Sequence, residues 1–535
     1  MTRPVRAALA ATAVLALGAG LLAAAPAQAK EKDPSKTPPS KTVPKLDWQP
    51  CEDGFECATA LVPTDYDRPF GATTKIALIK LPAARPDQRI GSLFTNPGGP
   101  GGSGVDFVRQ AGRVAFTQDV LDRYDVIGFD PRAVGASDPA TCYASPEEEA
   151  AATAGFPAFP LTAQDAKEYL PVNAAFAASC KKYAGDRIAH ASTANVARDM
   201  DLLRRAVGDP RLSYVGYSYG TQLGATYAAL FPRKVGRLVL DGTIDPRAWS
   251  GTNGDRRPVG ARIGQGPAAA DTFQQFLQQC RSAGDACALN ALGDPSEVVE
   301  GLLERLKTQP VEVPDGAGGT VAIDYPLAVA SIFTSLYEPA LWSSLATDLA
   351  GLAEPATARL KSSAPSTFTR TRDYPSVGGA LASLCVDQPS KVPARAYQRL
   401  ADSEDRKAPH FGRFRAWVGV QCATERFVDR DAYRGPWTQK TKQDVLVIGT
   451  RFDPATPYSA TAPYTRLFPR GHMLTVEGYG HTILGKSSCA DEAVAAYLIG
   501  GTTPTKGATC AQDVAPFSPT PAAKKELAER VVPAL

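Results

Sequence analysis

The feature that most constrains the fold is residues 212–232, LSYVGYSYGTQLGATYAALFP, a strand–turn–helix pattern. Residues 212–215 suit a short buried strand, and residues 222–230 carry small and apolar side chains at helical spacing. Between them lies Gly-Tyr-Ser-Tyr-Gly, where a sharp turn lifts the hydroxyl of Ser218 clear of the sheet and the glycines leave room for it. Ser218 is therefore the candidate nucleophile, although the same pentapeptide can also form a plain turn.

Strand-like apolar runs recur along the chain. They lie at residues 75–81, 91–95, 124–129, 212–215, 235–240, 444–448 and 473–476. Several are apolar throughout, which is typical of strands covered on both faces. Helical stretches such as 195–207 separate many of them, and this alternation predicts an α/β fold with a mostly parallel central sheet.

The pattern changes between residues 246 and 440, where helical segments dominate. They include 269–282, 295–306 and 327–352. We therefore predict a core in two parts, 46–245 and 441–535, with a largely helical cap, 246–440, inserted before the last two core strands. Residues 30–45 are rich in Lys and Pro and have little to bury, so they indicate a disordered lead-in or pro-segment.

The first 29 residues have the pattern of a secretory signal peptide. Two arginines precede an apolar run over residues 7–25, and Ala27 and Ala29 form an A-x-A site, which predicts cleavage after Ala29. An uncleaved membrane anchor is the alternative. No later segment has the pattern of a membrane span, so we expect a secreted, extracellular protein.

The ten cysteines support export, because an even number in an exported protein favours disulfides. Connectivity does not follow from sequence, but pairing between neighbours needs only local loops. That pairing joins Cys51 to Cys57, Cys142 to Cys180, Cys280 to Cys287, Cys385 to Cys422 and Cys489 to Cys510. Metal binding is disfavoured, since no cysteine has C-x-x-C spacing or an adjacent histidine.

Charge is nearly balanced, with 58 Lys and Arg against 55 Asp and Glu. The basic residues are scattered, so neither a nucleic-acid groove nor an anionic membrane surface is indicated. We expect no metal or other cofactor, and the oligomeric state is not readable from the sequence.

A serine nucleophile needs a base, and the chain has only four histidines. His481 follows the last predicted strand on a glycine-flanked loop, which is where a base is expected when the order is Ser, acid, His. Asp453 follows the preceding strand and can orient the ring of His481. Thr456 lies close enough in sequence to support Asp453. A surface-loop histidine and a turn aspartate are the plainer alternatives.

The oxyanion hole is predicted from two backbone amides. One is that of Tyr219, directly after the candidate nucleophile, and the other is that of Gly99, with Gly98 beside it, in the glycine-rich loop at 92–104. A phosphate-binding loop is disfavoured because no Gly-Lys-Ser or Gly-Lys-Thr ends this stretch.

A further pattern, DVIGFDPRAVGASD at residues 125–138, ends a strand with Asp130 and Arg132. We interpret both as structural residues that brace the loop beneath the site.

Taken together, these motifs resemble those of a known family. NPGGPGGSG, DPRAVGASD, GYSYGTQLGATYAALFP, VLDGTIDP and the late Asp–His pair are similar to the proline iminopeptidase branch of the α/β-hydrolases, in particular the secreted tripeptidyl aminopeptidases. The resemblance covers most of the chain outside the signal peptide and cap. It implies a serine exopeptidase acting on peptides with a free N-terminus, with Ser218, Asp453 and His481 as the triad.

One departure from the family pattern stands out. Many relatives have His-Gly-Gly-Pro-Gly in the early loop, whereas Asn96 and Pro97 precede the glycines here. The backbone donors remain, but the histidine side chain is absent.

An aminopeptidase must also bind a protonated amine, which calls for carboxylates in the cap. Asp387 and Glu425 are the candidates, because each lies close to a cysteine, Cys385 or Cys422, that can fix the local backbone. Acidic residues in helical caps are more often simply solvated.

Two other functions stay open at this point. The same triad cleaves esters, so a secreted carboxylesterase or lipase is the nearest alternative. A non-catalytic hydrolase-fold binding protein is the remote one, disfavoured because Ser218, Asp453 and His481 are all present.

Overall fold

The structure, a computed structural model, describes residues 40–314, 319–354, 377–483 and 485–519. The predicted signal peptide and residues 30–39 of the predicted lead-in lie outside this part. Residues 40–45 are described, and here the structure differs from the prediction of disorder. A short 3-10 helix covers Ser40–Thr42, and Val43 packs against the core because its side chain offers apolar surface to bury.

The strands, in chain order, are as follows. They are β1 (Gln49–Pro50), β2 (Glu56–Pro63), β3 (Thr73–Leu81), β4 (Gly91–Asn96), β5 (Tyr124–Phe129), β6 (Leu212–Tyr217), β7 (Val235–Asp241), β8 (Val311–Pro314), β9 (Thr320–Ile323), β10 (Val445–Phe452), β11 (Gly471–Tyr479) and β12 (Thr509–Ala511). All seven predicted strands are present, most of them a few residues longer than predicted.

The main sheet is mostly parallel, as predicted. Its ten strands run in the order β1-β2-β3-β5-β4-β6-β7-β10-β11-β12, while β8 and β9 form a separate antiparallel pair. All neighbours from β5 to β12 are parallel, and only β1, β2 and β3 pair in antiparallel fashion. Three strands follow the cap rather than the predicted two, because β12 adds to the edge of β11.

The helices alternate with these strands. They are α1 (Gly104–Ala111), α2 (Gln118–Arg123), α3 (Pro146–Thr153), α4 (Ala163–Ile188), α5 (Thr193–Ala206), α6 (Tyr219–Leu230), α7 (Pro246–Ser250), α8 (Val259–Arg262), α9 (Gln265–Ser282), α10 (Pro295–Leu306), α11 (Tyr325–Ser335), α12 (Trp342–Ala353), α13 (Val377–Asp387), α14 (Tyr397–Asp405), α15 (Phe411–Ala416), α16 (Gln421–Thr424), α17 (Tyr458–Thr465) and α18 (Ser488–Gly500).

Both faces of the sheet are covered, which explains why its central strands are apolar throughout. On β10, Val445 and Val447 join the cluster that α5 and α6 form with one face. Leu446 and Ile448 join the cluster that α1, α2 and α18 form with the other. Successive side chains of a strand point to opposite faces, so each face receives every second residue.

The segment between β7 and β10 consists mainly of helices α7 to α16, with the β8–β9 pair among them. Its largest cluster is built around Phe276, Leu303 and the fully buried Trp342. The predicted helical stretch 327–352 is two helices, α11 and α12. The first ends at Ser335, and a 3-10 turn at Pro339–Leu341 separates them; Pro339 begins that turn, where its missing N–H needs no partner.

A second segment also packs against this helical region, although the predicted boundaries place it in the core. Phe176 and Ala177 of α4 share a buried cluster with Leu381 and Ala382 of α13. The ring of Tyr169, also on α4, lies 5.5 Å from that of Trp417. The helical region is therefore assembled from two stretches of the chain.

The five predicted disulfides are all confirmed. Cys142–Cys180 links a loop after β5 to α4, and Cys385–Cys422 links α13 to α16. Among the described residues, none of the helices is long and apolar enough to cross a membrane.

Candidate active site

Ser218 lies in the turn between β6 and α6, with φ 55° and ψ −121°. A positive φ is uncommon for a residue other than glycine and persists only where the surroundings hold it. The motif glycines permit this turn, because a Cβ on Gly216 would lie 2.4 Å from the carbonyl oxygen of Gly220. The sharp turn predicted from the sequence is thus present, and the side chain of Ser218 is partly exposed.

Asp453 and His481 are brought together, as predicted. The Nδ1 atom of His481 lies 3.0 Å from Oδ1 and 2.9 Å from Oδ2 of Asp453. The carboxylate also accepts hydrogen bonds from the backbone N–H groups of Ala455 (2.8 Å) and Thr456 (2.9 Å), and from the Thr456 hydroxyl (2.7 Å). These donors fix the carboxylate and leave it oriented toward the ring.

Asp453 is 3% exposed, yet it is held in its charged form. Burial alone would raise the pKa of this carboxyl group, but the nearby His481 and the hydrogen bonds lower that pKa below its ordinary value. A charged carboxylate at this place can stabilise an imidazolium.

The turn of Ser218 and the loop of His481 meet at the end of β7. The backbone N–H of Ser218 donates to the carbonyl of Asp241 over 2.9 Å. The next residue, Gly242, lies against the imidazole, since a Cβ added to it would be 3.3 Å from Cε1 of His481. Ser218, Asp453 and His481 therefore lie at one edge of the sheet, at the carboxyl ends of neighbouring strands.

Two other histidines lie elsewhere, as predicted. Nε2 of His472, at the start of β11, is 2.9 Å from Oδ1 of Asp444 at the opposite edge of the sheet. His410 lies in the helical region, with Nδ1 2.9 Å from the hydroxyl of Tyr325 and Nε2 3.1 Å from Glu300. Neither is next to the serine turn.

The glycine-rich loop packs on that turn. Gly98, Gly99 and Gly101 have φ angles of 100°, 108° and 94°, which only glycine adopts without strain. A Cβ on Gly98 would lie 2.6 Å from the carbonyl oxygen of Tyr217 and 3.0 Å from the backbone nitrogen of Tyr219. The structure thus places the loop directly beside the amide of Tyr219, as the predicted oxyanion hole requires.

Asn96 shapes this loop from within. Its Oδ1 accepts a hydrogen bond from the backbone N–H of Gly98 over 3.0 Å, and the residue is fully buried. The residue that departs from the family pattern is therefore an internal brace of the loop.

Asp387 lies behind Tyr219, linked through Thr193. The Asp387 carboxylate accepts hydrogen bonds from the backbone N–H of Thr193 (3.0 Å), from the Thr193 hydroxyl and from Nε1 of Trp249 (3.2 Å). The Thr193 hydroxyl also contacts the hydroxyl of Tyr219. Sequence reasoning missed Thr193 and Trp249, because both are far from Asp387 in the chain and neither lies in a motif.

The Asp387 side chain is enclosed, since the residue is 3% exposed. Burial raises the pKa of its carboxyl group to about 6, against the lowering effect of its hydrogen bonds. It is charged at neutral pH, one hydrogen-bonded residue away from Tyr219.

Glu425, the other predicted amine ligand, pairs with α4. Its carboxylate is 2.7 Å from Nζ of Lys181 on α4, and this hydrogen bond lowers the pKa of Glu425. Its other contacts are with Arg426 and Gln421, so the structure does not bring it to the serine turn.

Asp130 and Arg132 act as braces, which confirms the structural interpretation. Asp130 accepts hydrogen bonds from the Ser103 hydroxyl (2.5 Å) and from the backbone N–H of Val105 (3.1 Å) at the start of α1. Arg132 forms a buried ion pair with Asp199, with 2.5 Å between Nη2 and Oδ1. Within the described ranges, we find no group of three or more His, Cys, Asp or Glu side chains placed to hold a metal ion.

The parallel sheet, the serine turn at the end of β6 and the Asp–His pair beside it define an α/β hydrolase. Family models agree: the one described as alpha/beta hydrolase fold matches residues 92–279, and the one described as TAP-like protein matches residues 408–510.

Three similar proteins span nearly the whole chain. Serine protease Hip1 of Mycobacterium tuberculosis is 33% identical over 87% of this chain and 91% of its own length. Tripeptidyl aminopeptidase of Streptomyces lividans is 30% identical over 88% of this chain and 87% of its own. Carboxylesterase B of M. tuberculosis is 32% identical over 95% of this chain and 98% of its own. The chain therefore belongs to the TAP-like family of α/β hydrolases, and it is an enzyme of the serine hydrolase class.

Proposed function

We propose that the protein is a serine aminopeptidase that releases tripeptides, or other short units, from the free N-termini of peptides. The observation that carries the proposal is the Asp453–His481 pair held beside the strained turn of Ser218. The length of the released unit rests on the similarity to a protein named tripeptidyl aminopeptidase.

In the first half of the reaction, His481 removes the proton of the Ser218 hydroxyl as the serine oxygen attacks the carbonyl carbon of the scissile bond. Asp453 keeps Nδ1 of the ring protonated, so Nε2 is free to accept that proton. The imidazolium then gives the proton to the leaving amine, which is the remainder of the peptide. The N-terminal unit stays bound to Ser218 as an ester.

In the second half, water attacks this ester, with His481 again taking and returning a proton, and the free acid leaves. The negative charge on the carbonyl oxygen in both tetrahedral intermediates is assigned to the backbone N–H groups of Tyr219 and Gly99. The close approach of Gly98, the neighbour of Gly99, to the backbone nitrogen of Tyr219 supports this assignment.

Selection of a free N-terminus calls for negative charge near the site. Of the two predicted amine ligands, Asp387 is the better supported, since Thr193 links its charge to Tyr219. Because Asp387 is enclosed, we propose that its negative charge favours a protonated amine in the site without contacting that amine directly. Glu425, paired with Lys181, is the weaker candidate.

The test compares three substrates at matched concentration: a tripeptide arylamide with a free amine, its N-acetylated form, and a short acyl ester. We expect fast release from the free tripeptide and a large loss on acetylation. Mass spectrometry of the product from a longer unblocked peptide gives the length of the unit. An equal rate on the acetylated substrate would exclude an aminopeptidase.

A carboxylesterase is the second candidate, favoured by the similarity to carboxylesterase B along almost the whole chain. The same serine, base and oxyanion donors cleave esters. Hydrolysis of the ester alone, with no cleavage of either peptide substrate, would establish this function instead.

We further propose that the enzyme is exported and works on peptides outside the cell. The five disulfides support this, because they form and persist in oxidising compartments. The pattern of residues 1–29 agrees with export.

A further inference from the structure

Asp241, the last residue of β7, is a buried acid that the proposed mechanism does not use. It is 1% exposed and lies between β6, which leads to Ser218, and β10, which leads to Asp453. Its Oδ2 accepts a hydrogen bond from the backbone N–H of Ile483 over 2.8 Å. Its side chain therefore holds the loop that carries His481.

The backbone at this position joins the other two parts of the site. The carbonyl of Asp241 accepts the N–H of Ser218 over 2.9 Å, and the N–H of Gly242 donates to the carbonyl of Ile448 on β10 over 3.2 Å. One short stretch thus contacts the elements that carry the serine, the aspartate and the histidine.

The loop that Asp241 holds is strained. Thr482 has φ 60°, a conformation that is an outlier for a β-branched side chain. Such a residue keeps this conformation only if its neighbours are tied down. The N–H of His481 donates to the carbonyl of Tyr337 over 2.8 Å, and the N–H of Ile483 donates to Asp241, so one hydrogen bond lies on each side of the strained residue.

A third tie comes from Lys486, whose Nζ donates to the carbonyl of His481 over 3.0 Å and pairs with Glu338 at 3.1 Å. Tyr337 and Glu338 belong to the helical region, whereas Asp241 belongs to the sheet. The N–H of Gly480, before the strained residue, donates to the carbonyl of Phe452 on β10 over 3.0 Å. After the strained residue, the carboxylate of Asp241 ties the loop to β7, which lies between the strands that lead to Ser218 and Asp453.

We infer that Asp241 is a positioning residue for the base: its carboxylate fixes the 481–483 turn so that the imidazole of His481 stays aligned with Asp453 and faces Ser218. This inference rests on the proposed role of His481.

Burying the carboxylate of Asp241 is energetically unfavourable, and this supports a dedicated role for the residue. Its Oδ1 is buried and, among the described residues, has no hydrogen-bond partner. The hydroxyl of Thr117 is likewise buried without a hydrogen-bond partner among the described residues. Both residues line one small cavity together with Asp491. Burial raises the pKa of Asp241 to about 7, which shows how unfavourable its charge is here.

The test measures the rate of Ser218 labelling by a fluorophosphonate probe, together with kcat and KM on the tripeptide arylamide. We expect Asp241→Ala to lower both the labelling rate and kcat by about 30- to 100-fold, because a displacement of the turn by about 1 Å misaligns the imidazole. We expect KM to be nearly unchanged, because the buried side chain of Asp241 is not accessible to a substrate. Asp241→Asn retains an acceptor for the N–H of Ile483 and restores most of the rate. Thermal unfolding of each variant confirms that it is folded.

Asp209→Ala is the matched control. Its carboxylate likewise accepts a backbone N–H, that of Ser92 over 2.9 Å, but at the start of β4, on the edge of the sheet away from the site. We expect its labelling rate to stay within about twofold of wild type, because surface and edge changes distant from the site leave its geometry intact. Should Asp241→Ala fail to fold, Asp241→Leu fills the space without an acceptor and serves in its place.

The outcomes separate this inference from the proposed function. Wild-type labelling at Ser218 with unchanged labelling of Asp241→Ala or Asp241→Leu overturns the positioning role alone. Equal loss in Asp241→Ala and Asp241→Asn also overturns it, because the acceptor would then not be what matters. Absence of wild-type labelling, or persistent labelling of Ser218→Ala, refutes the proposed function.

Discussion

The backbone of Ser218 has an unfavourable conformation, which contacts with the surrounding residues stabilise. The φ of 55° is held by the hydrogen bond from its N–H to Asp241 and by the close approach of Gly98. A backbone held in this way places the serine side chain before the substrate arrives, and positioning reactants in advance is a large source of enzymatic rate. The same logic extends to Thr482, beside the proposed base.

Replacing either end of the proposed proton path removes the reaction almost entirely. We expect Ser218→Ala and His481→Ala each to lower kcat by about 10⁴- to 10⁶-fold, and the double variant to be no worse than the worse single one, because the groups act as one unit. Steady-state kinetics on the tripeptide arylamide measure this. Near-normal activity in His481→Ala would mean that the base lies elsewhere.

Asp387 gives a prediction on stability against pH. Its pKa is about 6 in the folded protein and close to the ordinary 3.8 when unfolded, so the folded state binds the proton more tightly. The free energy of unfolding contributed by this group is greatest below about pH 4 and falls as the pH rises through 6, by about 3 kcal/mol in all.

The variant Asp387→Asn cannot titrate and does not lose this contribution. The difference in free energy of unfolding between the variant and wild type is therefore more favourable to the variant at pH 7.5 than at pH 4.5. Urea unfolding of both proteins at both pH values measures this difference. A stability difference that does not change with pH would contradict the assignment.

At the scale of elements, α13 is one of the connections between the helical region and the serine turn. Asp387 at its end accepts the first N–H of α5, and Cys385 joins it to α16. Asp387, which we propose favours a protonated amine, is therefore separated from Tyr219 by the single hydroxyl of Thr193. A displacement of α13 would reach Tyr219 through Thr193.

The Cys385–Cys422 disulfide closes a long stretch, with a sequence separation of 37, whereas Cys51–Cys57 spans only 6. Loop entropy predicts losses of about 4 and about 2 kcal/mol when each pair is replaced by serine. The Cys51/Cys57 double variant is the matched control, and chemical denaturation of the three proteins measures the difference. Equal losses would show that strain or residual structure outweighs loop length.

At the scale of the whole molecule, the sequence predicted those parts of the site that lie in contiguous motifs. The serine turn, the glycine loop and the order of Asp453 and His481 were recognisable because each sits directly after an apolar strand. The five disulfides were predictable because each closes a local loop. The central strands stood out since both their faces are buried.

Contacts between distant parts of the chain were not predictable. Nothing near Asp241 indicates that Ile483 donates to it, and the bond from Thr193 to Asp387 spans a separation of 194 residues. Strand β2 was missed because it lies outside the parallel part of the sheet, with several side chains only partly buried, so it lacks a continuous apolar run. The role of α4 depends on its packing against α13. That packing does not produce a hydrophobic periodicity by which it could be recognised in the sequence.

Because the helical region is built from two stretches of the chain, an exchange of this region between family members has to include both. A graft that moves only residues 246–440 would bring a foreign α13 against the native α4. It would change the buried cluster that Phe176 and Leu381 share and the Lys181–Glu425 ion pair. The unit of recombination is therefore discontinuous. Chimeras that carry the stretch from Cys142 to Ile188 along with the later segment should yield folded protein where single-segment grafts do not.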